Sequence, residues 1–221
     1  MKKAALHNLG CKVNAYETEA MQHLLEEAGY EIVPFTQKAD VYVINTCSVT
    51  NMADRKSRQM LHKAKKNNPD SIVVAAGCYV QTSEKEVLND LSVDIVIGND
   101  RKHDLVRLLE EYSLDSVNDT VDDINDGKHD FEELFIDQTK EHTRAFIKVQ
   151  DGCNQFCSYC IIPYARGRVR SRRFENVIAE VERLAANGFK EVVLTGIHLS
   201  SYGVDSVSYT HLRAHETKAN L

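Results

Sequence analysis

Two rhythms of apolar and polar positions divide the chain. Short apolar runs at residues 4–9, 31–35, 41–45, 71–76 and 94–97 predict strands, and the run at 71–76 is rich in β-branched side chains, as a buried strand requires. Between these runs the spacing turns helical. Ala20, Leu24, Leu25 and Ala28 predict a helix over 14–28 that ends at Gly29, and further helices are expected over 52–67, 83–89 and 102–112. Pro69 and Asp70 punctuate the chain before the strand at 71–76. Strands and helices that alternate at this length predict a parallel sheet covered on both faces. The expected fold class is α/β, with a doubly wound, flavodoxin-like sheet over residues 1–113.

A second pattern starts at residue 144. A strand over 144–150, a helix over 176–187 capped by Gly188, and a strand over 191–195 entering Gly196 read as the first βα units of a partial (β/α) barrel, residues 143–205. Such barrels carry their chemistry on the loops after the strands. Only the opening strands of such a barrel are present, and a lone βαβ piece leaves its edges open, so the chain is expected to be the front part of something longer. Residues 114–142 hold Asp115, Asp119, Asp122, Asp123, Asp126 and Asp130 with little apolar patterning. They are expected to form an acidic linker, with room for a short strand over 131–136.

Composition changes this picture little. Hydrophobic residues make up 43% and charged residues 27% of 221, a globular balance. The net charge of −6 is uneven: residues 114–142 carry two basic and ten acidic side chains, whereas 143–205 carry nine basic and six acidic ones. No apolar run is long enough to cross a bilayer, and His7 and Asn8 interrupt the N-terminus too early for a secretory segment. A cytoplasmic, reducing setting is therefore expected, in which the six cysteines are metal ligands or catalytic groups rather than disulfides.

The cysteines fall into two triplets. Cys11, Cys47 and Cys78 each follow a predicted strand, so a doubly wound sheet would bring all three to one edge beside its switch point. Gly10 and Gly77 permit the sharp exits that aim two of them inward. Cys153, Cys157 and Cys160 sit together as C-x3-C-x2-C in the first βα loop of the second unit. Three thiolates hold a four-iron cluster while leaving one iron open to a small molecule, the requirement for reductive cleavage of S-adenosylmethionine. Zinc competes for such thiols but wants four ligands, and no histidine or fourth cysteine lies close by in sequence. Arg166, Arg168, Arg170, Arg172 and Arg173 follow the compact triplet. They suit the phosphates of a nucleic acid, or else a solvated face, or salt bridges to the acidic segment. Tyr159 could stack on an adenine, and Gly196 could let the backbone approach the same ligand; His198 reads as structural.

Leu9-Gly10-Cys11-Lys12-Val13-Asn14, Asn45-Thr46-Cys47, Gly77-Cys78 and the compact triplet together resemble the radical-SAM methylthiotransferases over residues 1–205. Tyr16-Glu17 and Thr195-Gly196-Ile197-His198 are similar to the branch that modifies N6-threonylcarbamoyladenosine 37 of tRNA. Sister branches act on isopentenyladenosine in tRNA and on an aspartate of a ribosomal protein. The resemblance implies two [4Fe-4S] clusters and S-adenosyl-L-methionine. Cys153, Cys157 and Cys160 would hold the cluster that binds this cofactor and generates the 5′-deoxyadenosyl radical, which removes the C2 hydrogen of the adenosine. Cys11, Cys47 and Cys78 would hold an auxiliary cluster that carries or donates the sulfur, methylated from a second S-adenosylmethionine. Tyr159 matches the aromatic position before the last cluster cysteine, and Gly196 falls in the second-strand motif that contacts the cofactor. tRNA and an electron donor are the implied partners of a monomer with no membrane role.

The family continues through the rest of the barrel into a small RNA-binding domain. Residues 206–221 no longer read like it and are expected to be a non-native tail, so the chain alone is expected to be inactive. The rival readings are a catalytically silent metal-binding module and a nucleotide binder. The second lacks the G-x-G-x-x-G that should follow the first strand.

Overall fold

The computed structural model describes residues 1–112, 118–127, 129–136 and 144–205. The first unit is a parallel sheet in the order β2-β1-β3-β4-β5-β6. Its strands are β1 (Lys3–Asn8), β2 (Glu31–Ile32), β3 (Val41–Thr46), β4 (Ile72–Gly77), β5 (Ile95–Ile97) and β6 (Asn118–Thr120). The doubly wound expectation holds. β3 and β4 are the central strands; every residue of β3 is buried, and β4 is buried from its second residue on, which is why they read as continuous apolar runs. The second strand stops short of residue 35 because Pro34 has no N–H to offer a ladder. β6 was not legible in the sequence: it lies in the acidic segment and adds a sixth strand beside β5.

Helices cover both faces. On one side α1 (Lys12–Glu27) and α5 (Leu105–Glu111) bury Met21, Leu25, Leu105, Leu108 and Leu109 against β1, β3, β4 and β5. On the other, α2 (Asn51–Asn67) with α3 (Cys78–Thr82) and α4 (Glu84–Leu88) buries Met60, Leu61, Ala64, Tyr79, Val80 and Val87. A side-chain acceptor at Thr50 caps the α2 N-terminus by accepting from the Ala53 N–H at 3.1 Å. The helix expected over 83–89 is α4; α3, which precedes it and is separated from it at Ser83, was not foreseen.

The second unit is a three-stranded sheet, β8-β7-β9. β7 (Ala145–Asp151) pairs parallel with β9 (Val192–Gly196), and α7 (Phe174–Ala186) crosses between them, burying Val177 and Leu184 on Ala145, Ile147 and Val149. After the compact cysteines comes α6 (Ile162–Arg166), then β8 (Arg170–Ser171), which runs antiparallel to β7. That strand also went unforeseen, being two residues long and charged.

The acidic segment is docked where it is described. Tyr16 and Ala20 of α1 pack on Leu134 and Ile136, Ile124 is buried, and Glu132 meets His103 at 3.2 Å. No strand forms over 131–136. No helix among the described residues is long and apolar enough to cross a membrane.

Candidate functional site

In the first unit the chain leaves β1 toward β2 on one side and β3 on the other, which makes the carboxyl ends of β1 and β3 the switch point. The loops leaving β1, β3 and β4 carry Cys11, Cys47 and Cys78, and all three line one cavity of about 320 Å³. Cys47 and Cys78 are buried and Cys11 is exposed at the rim. Gly10 and Gly77 take φ of 109° and 99°. A Cβ on Gly77 would stand 2.7 Å from the Thr46 carbonyl oxygen, and one on Gly10 3.0 Å from Cys47 Sγ, so both turns require glycine.

Polar side chains fix the three loops. Asn14 Nδ2 donates to the Leu9 carbonyl at 2.8 Å and the Thr46 carbonyl at 2.9 Å, tying the Cys11 and Cys47 loops together. Its Oδ1 accepts from the Cys11 thiol at 3.6 Å. Ser57 of α2 donates to the Cys47 carbonyl at 3.1 Å. Asn99 Nδ2 lies 3.6 Å from Cys78 Sγ and donates to the Ala165 carbonyl at 2.6 Å. Burial pushes the Cys47 thiol above its ordinary pKa; a backbone hydrogen bond at Val49 opposes this, and the neighbouring Cys78 and Cys11 add to it.

The far wall of the cavity belongs to the second unit: Ile162 and Arg166 of α6, and Thr195, Gly196 and Ile197 at the end of β9. Gly196 therefore faces the first thiol triplet. A Cβ there would stand 2.9 Å from Gln150 Cβ. Gln150 braces this corner, accepting from the His198 N–H at 2.6 Å and donating to the Asp151 and Gly152 carbonyls. The His198 ring meets Ser201 Oγ at 2.6 Å, in keeping with a structural role.

Behind this wall lies a buried charge network joining the two units. Glu17 of α1 is fully buried and meets Lys148 at 2.7 Å, Arg166 at 2.9 Å and Lys102 at 3.3 Å. Asp151 meets Lys148 at 2.6 Å, Arg166 at 3.1 Å and Arg170 at 3.8 Å. Four cations face two carboxylates, an excess of two positive charges. Burial alone would raise Glu17, but Arg166, Lys102 and Lys148 outweigh it and hold the carboxyl well below the usual range. The Asp151 carboxyl is likewise depressed: Arg166, Lys148 and Arg170 outweigh its burial. Of these cations Arg166 reaches the thiol cavity, where it lines the wall, donates to Asn14 Oδ1 and interacts electrostatically with Cys78. An electropositive wall suits thiolates and an anionic cluster.

The compact triplet sits on the loop between β7 and α6. Cys153 and Cys160 are partly exposed and Cys157 is exposed. The Cys160 N–H donates to the Cys157 carbonyl at 2.9 Å, and the Cys153 N–H to the Gly167 carbonyl at 3.1 Å. Phe156 shapes the loop with φ of 46°, its ring edge-on to Tyr164 at 5.6 Å and beneath the Arg168 guanidinium at 4.3 Å. Tyr159, on the same loop, is 91% exposed.

The arginine run departs from the nucleic-acid expectation. Arg166, Arg170 and Arg172 are buried, and only Arg168 and Arg173 are exposed. Arg172 reaches Glu133 at 2.9 Å, donates to the Leu134 carbonyl at 3.1 Å and pairs with Glu180. Salt bridging to the acidic segment therefore describes Arg172 alone, through Glu133; Arg166 and Arg170 find their carboxylates elsewhere, on Glu17 of α1 and Asp151 of β7, because a buried guanidinium needs such partners. Sequence reasoning missed Glu17, Asn99, Lys102, Lys148 and Asp151 as a group. The available signal was a polar residue in a buried phase, with Glu17 between Val13 and Met21 on the core stripe of α1.

Among the described residues no three His, Cys, Asp or Glu side chains converge around a single ion. A polynuclear cluster spreads its thiolates over separate iron atoms, so convergence on one point is not what it needs. Three thiols on one cavity beside a buried positive wall fit such a group by their chemistry.

Comparison with known proteins agrees with this division. Residues 3–98 match the model described as "Uncharacterized protein family UPF0004", and residues 147–214 match the Radical SAM superfamily. The chain is 47% identical over 211 residues to "Threonylcarbamoyladenosine tRNA methylthiotransferase MtaB" of Bacillus subtilis, covering 95% of this chain and 46% of that protein. It is 46% identical over 205 residues to the protein of the same name from Aquifex aeolicus, covering 92% and 50%. It is 36% identical over 208 residues to "tRNA-2-methylthio-N(6)-dimethylallyladenosine synthase" of a Thermoanaerobacter species, covering 90% and 43%. The chain thus spans about half the length of the curated relatives it matches. It carries a UPF0004 match followed by a Radical SAM superfamily match, and is similar to the radical-SAM methylthiotransferases along more than nine-tenths of its own length.

Proposed function

We propose that this chain forms the sulfur-carrying and radical-initiating part of a tRNA methylthiotransferase, one that adds a 2-methylthio group to N6-threonylcarbamoyladenosine 37. The observation that carries the reading is the shared cavity: Cys11, Cys47 and Cys78 of the first unit face Thr195, Gly196 and Ile197 of the second across about 320 Å³. Sulfur chemistry and the strand end of a radical SAM domain thereby meet in one place.

Cys153, Cys157 and Cys160 would hold one [4Fe-4S] cluster, which would supply the electron for reductive cleavage of S-adenosyl-L-methionine, and Cys11, Cys47 and Cys78 would hold a second, which would supply the sulfur. The remaining roles belong to the protein. Asn14 holds the Cys11 and Cys47 loops in one register, and Asn99 does the same for Cys78 and α6. Arg166 offsets the negative charge of thiolates at the cavity wall. The close approach of Gly196 to Gln150 keeps the β9 exit open beside the cavity. Tyr159, exposed on the loop of the compact triplet, is free to cover a bound adenine. The partners are tRNA and an electron donor, in the cytoplasm.

The branch rests on the relatives' names and is tested in cells. Mass spectrometry of tRNA from a strain lacking the gene should show loss of the 2-methylthio derivative of N6-threonylcarbamoyladenosine alone. Loss of the isopentenyl derivative instead would overturn the assignment.

A further inference from the structure

The buried arginines leave open where a polyanion would lie, and α2 offers the place. This helix carries six Lys and Arg side chains and one Asp, in a chain whose net charge is −6. Two of the six are paired: Lys65 meets Asp94 at 2.7 Å, and Arg58 meets Glu86 at 3.8 Å and Tyr79 at 3.0 Å. Arg55, Lys56, Lys63 and Lys66 have no carboxylate partner among the described residues, and all four are exposed. The buried face of the helix is Ser57, Met60, Leu61 and Ala64, so these four share the opposite, outer face. From residue 55 to residue 66 that row spans about 16 Å.

The row leads to the thiol cavity. Only Ser48, Val49 and Thr50 separate Cys47 from the first residue of α2, and Val49 lines the cavity together with Lys12. Val49 is 58% and Met52 69% exposed, which places apolar surface at the mouth. Beside the row, the His7 and Phe35 rings lie 5.0 Å apart. Burial lowers the His7 pKa, and the nearby Lys56 and Lys63 lower it further.

We propose that the outer face of α2 is a track for the phosphates of a folded RNA, which guides a loop nucleotide into the cavity lined by Cys11, Cys47 and Cys78. Flexible lysines without carboxylate partners are depleted at protein–protein interfaces, whereas a row of them beside aromatic rings is what an RNA backbone and its bases engage. The inference rests on the proposed function for the identity of the RNA, and on charge and placement for the surface itself.

The test is fluorescence anisotropy of a labelled RNA stem-loop titrated with the full chain over a salt series. The double variant Lys56→Glu/Lys63→Glu should bind at least about tenfold more weakly and flatten the log–log salt slope by about 1.4, or 0.7 for each lost phosphate contact. Lys56→Gln/Lys63→Gln should move both in the same direction by less. Lys190→Glu, an exposed charge on the second unit, should change neither. Unchanged affinity and slope in the double variant would overturn the proposal, as would absence of RNA binding by the unaltered chain. Tighter binding of a polyglutamate peptide than of the RNA, through the same lysines, would overturn it in favour of an acidic protein partner. Iron loading of the same preparations reports on the functional reading separately: loading without α2-dependent RNA binding sinks the track alone, and RNA binding without loading sinks the enzyme reading alone.

Discussion

Replacing Glu17 by Gln keeps the shape of the side chain and removes its charge. Glu17 lies within 3.3 Å of three buried cations, Lys102, Lys148 and Arg166. The network already holds four cations against two carboxylates, so the variant leaves four against one in the same buried volume. Removing one partner of a buried ion pair costs about 3–5 kcal/mol, because the remaining charge stays desolvated. Against a total stability of about 5–15 kcal/mol, that is a large share. For a domain of this size the melting temperature should fall by roughly 6–20 °C. Because Glu17 lies on α1 and two of its partners on β7 and α6, hydrogen exchange should quicken first where the two units meet. Thermal melts followed by circular dichroism, with exchange read by mass spectrometry, measure both effects. Glu27→Gln provides the contrast on the same helix: its carboxylate meets His23 at 3.5 Å at the surface, and the change should cost less than about 1 kcal/mol. A Glu17→Gln melt within 2 °C of the unaltered protein would refute the reasoning and mean that water reaches the network.

Other expectations follow from the same geometry. Gly77→Ala forces a side chain into a φ of 99° and toward the Thr46 carbonyl, so it should cost more than about 1–2 kcal/mol and displace Cys78, seen as faster alkylation of that thiol. Arg172→Ala removes the contacts that fasten Glu133 and Leu134 to Glu180, so limited proteolysis should cut near residues 131–136 sooner than in the unaltered protein. The depressed carboxyls of Glu17 and Asp151 contribute stability that is complete above the ordinary carboxylate pKa of about 4. That contribution should be lost as pH falls below this value, and an acid titration of ellipticity should show a shallower loss in Glu17→Gln.

What the sequence disclosed, and what it hid, divides along physical lines. β3 and β4 are apolar throughout because both faces of a parallel sheet are covered, and they read directly. The convergence of Cys11, Cys47 and Cys78 followed from topology, since parallel strands end on one side. β8 stayed hidden because two residues have no periodicity and its pairing is set by β7. The acidic segment hid Ile124, Leu134 and Ile136, which are buried singly rather than in a repeating stripe. The arginine run shows the limit most clearly. Charge along a sequence reports how many cations there are, while their partners come from far away: Glu17 precedes Arg166 by 149 residues. Within Lys12-Val13-Asn14 and Tyr16-Glu17 each side chain has a separate task that only the fold reveals. Lys12 lies over the Phe146 ring, Asn14 ties two cysteine loops, Tyr16 holds Leu134, and Glu17 anchors the network.

Iron counting after anaerobic reconstitution tests the central claim, that two cysteine triplets form two separate cluster sites. The unaltered chain should bind about eight iron atoms, and Cys47→Ala and Cys157→Ala should each retain about four, with the charge-transfer absorption of a [4Fe-4S] centre. A chain that binds about four atoms in total, or in which either substitution removes all of them while the fold is intact, would contradict it.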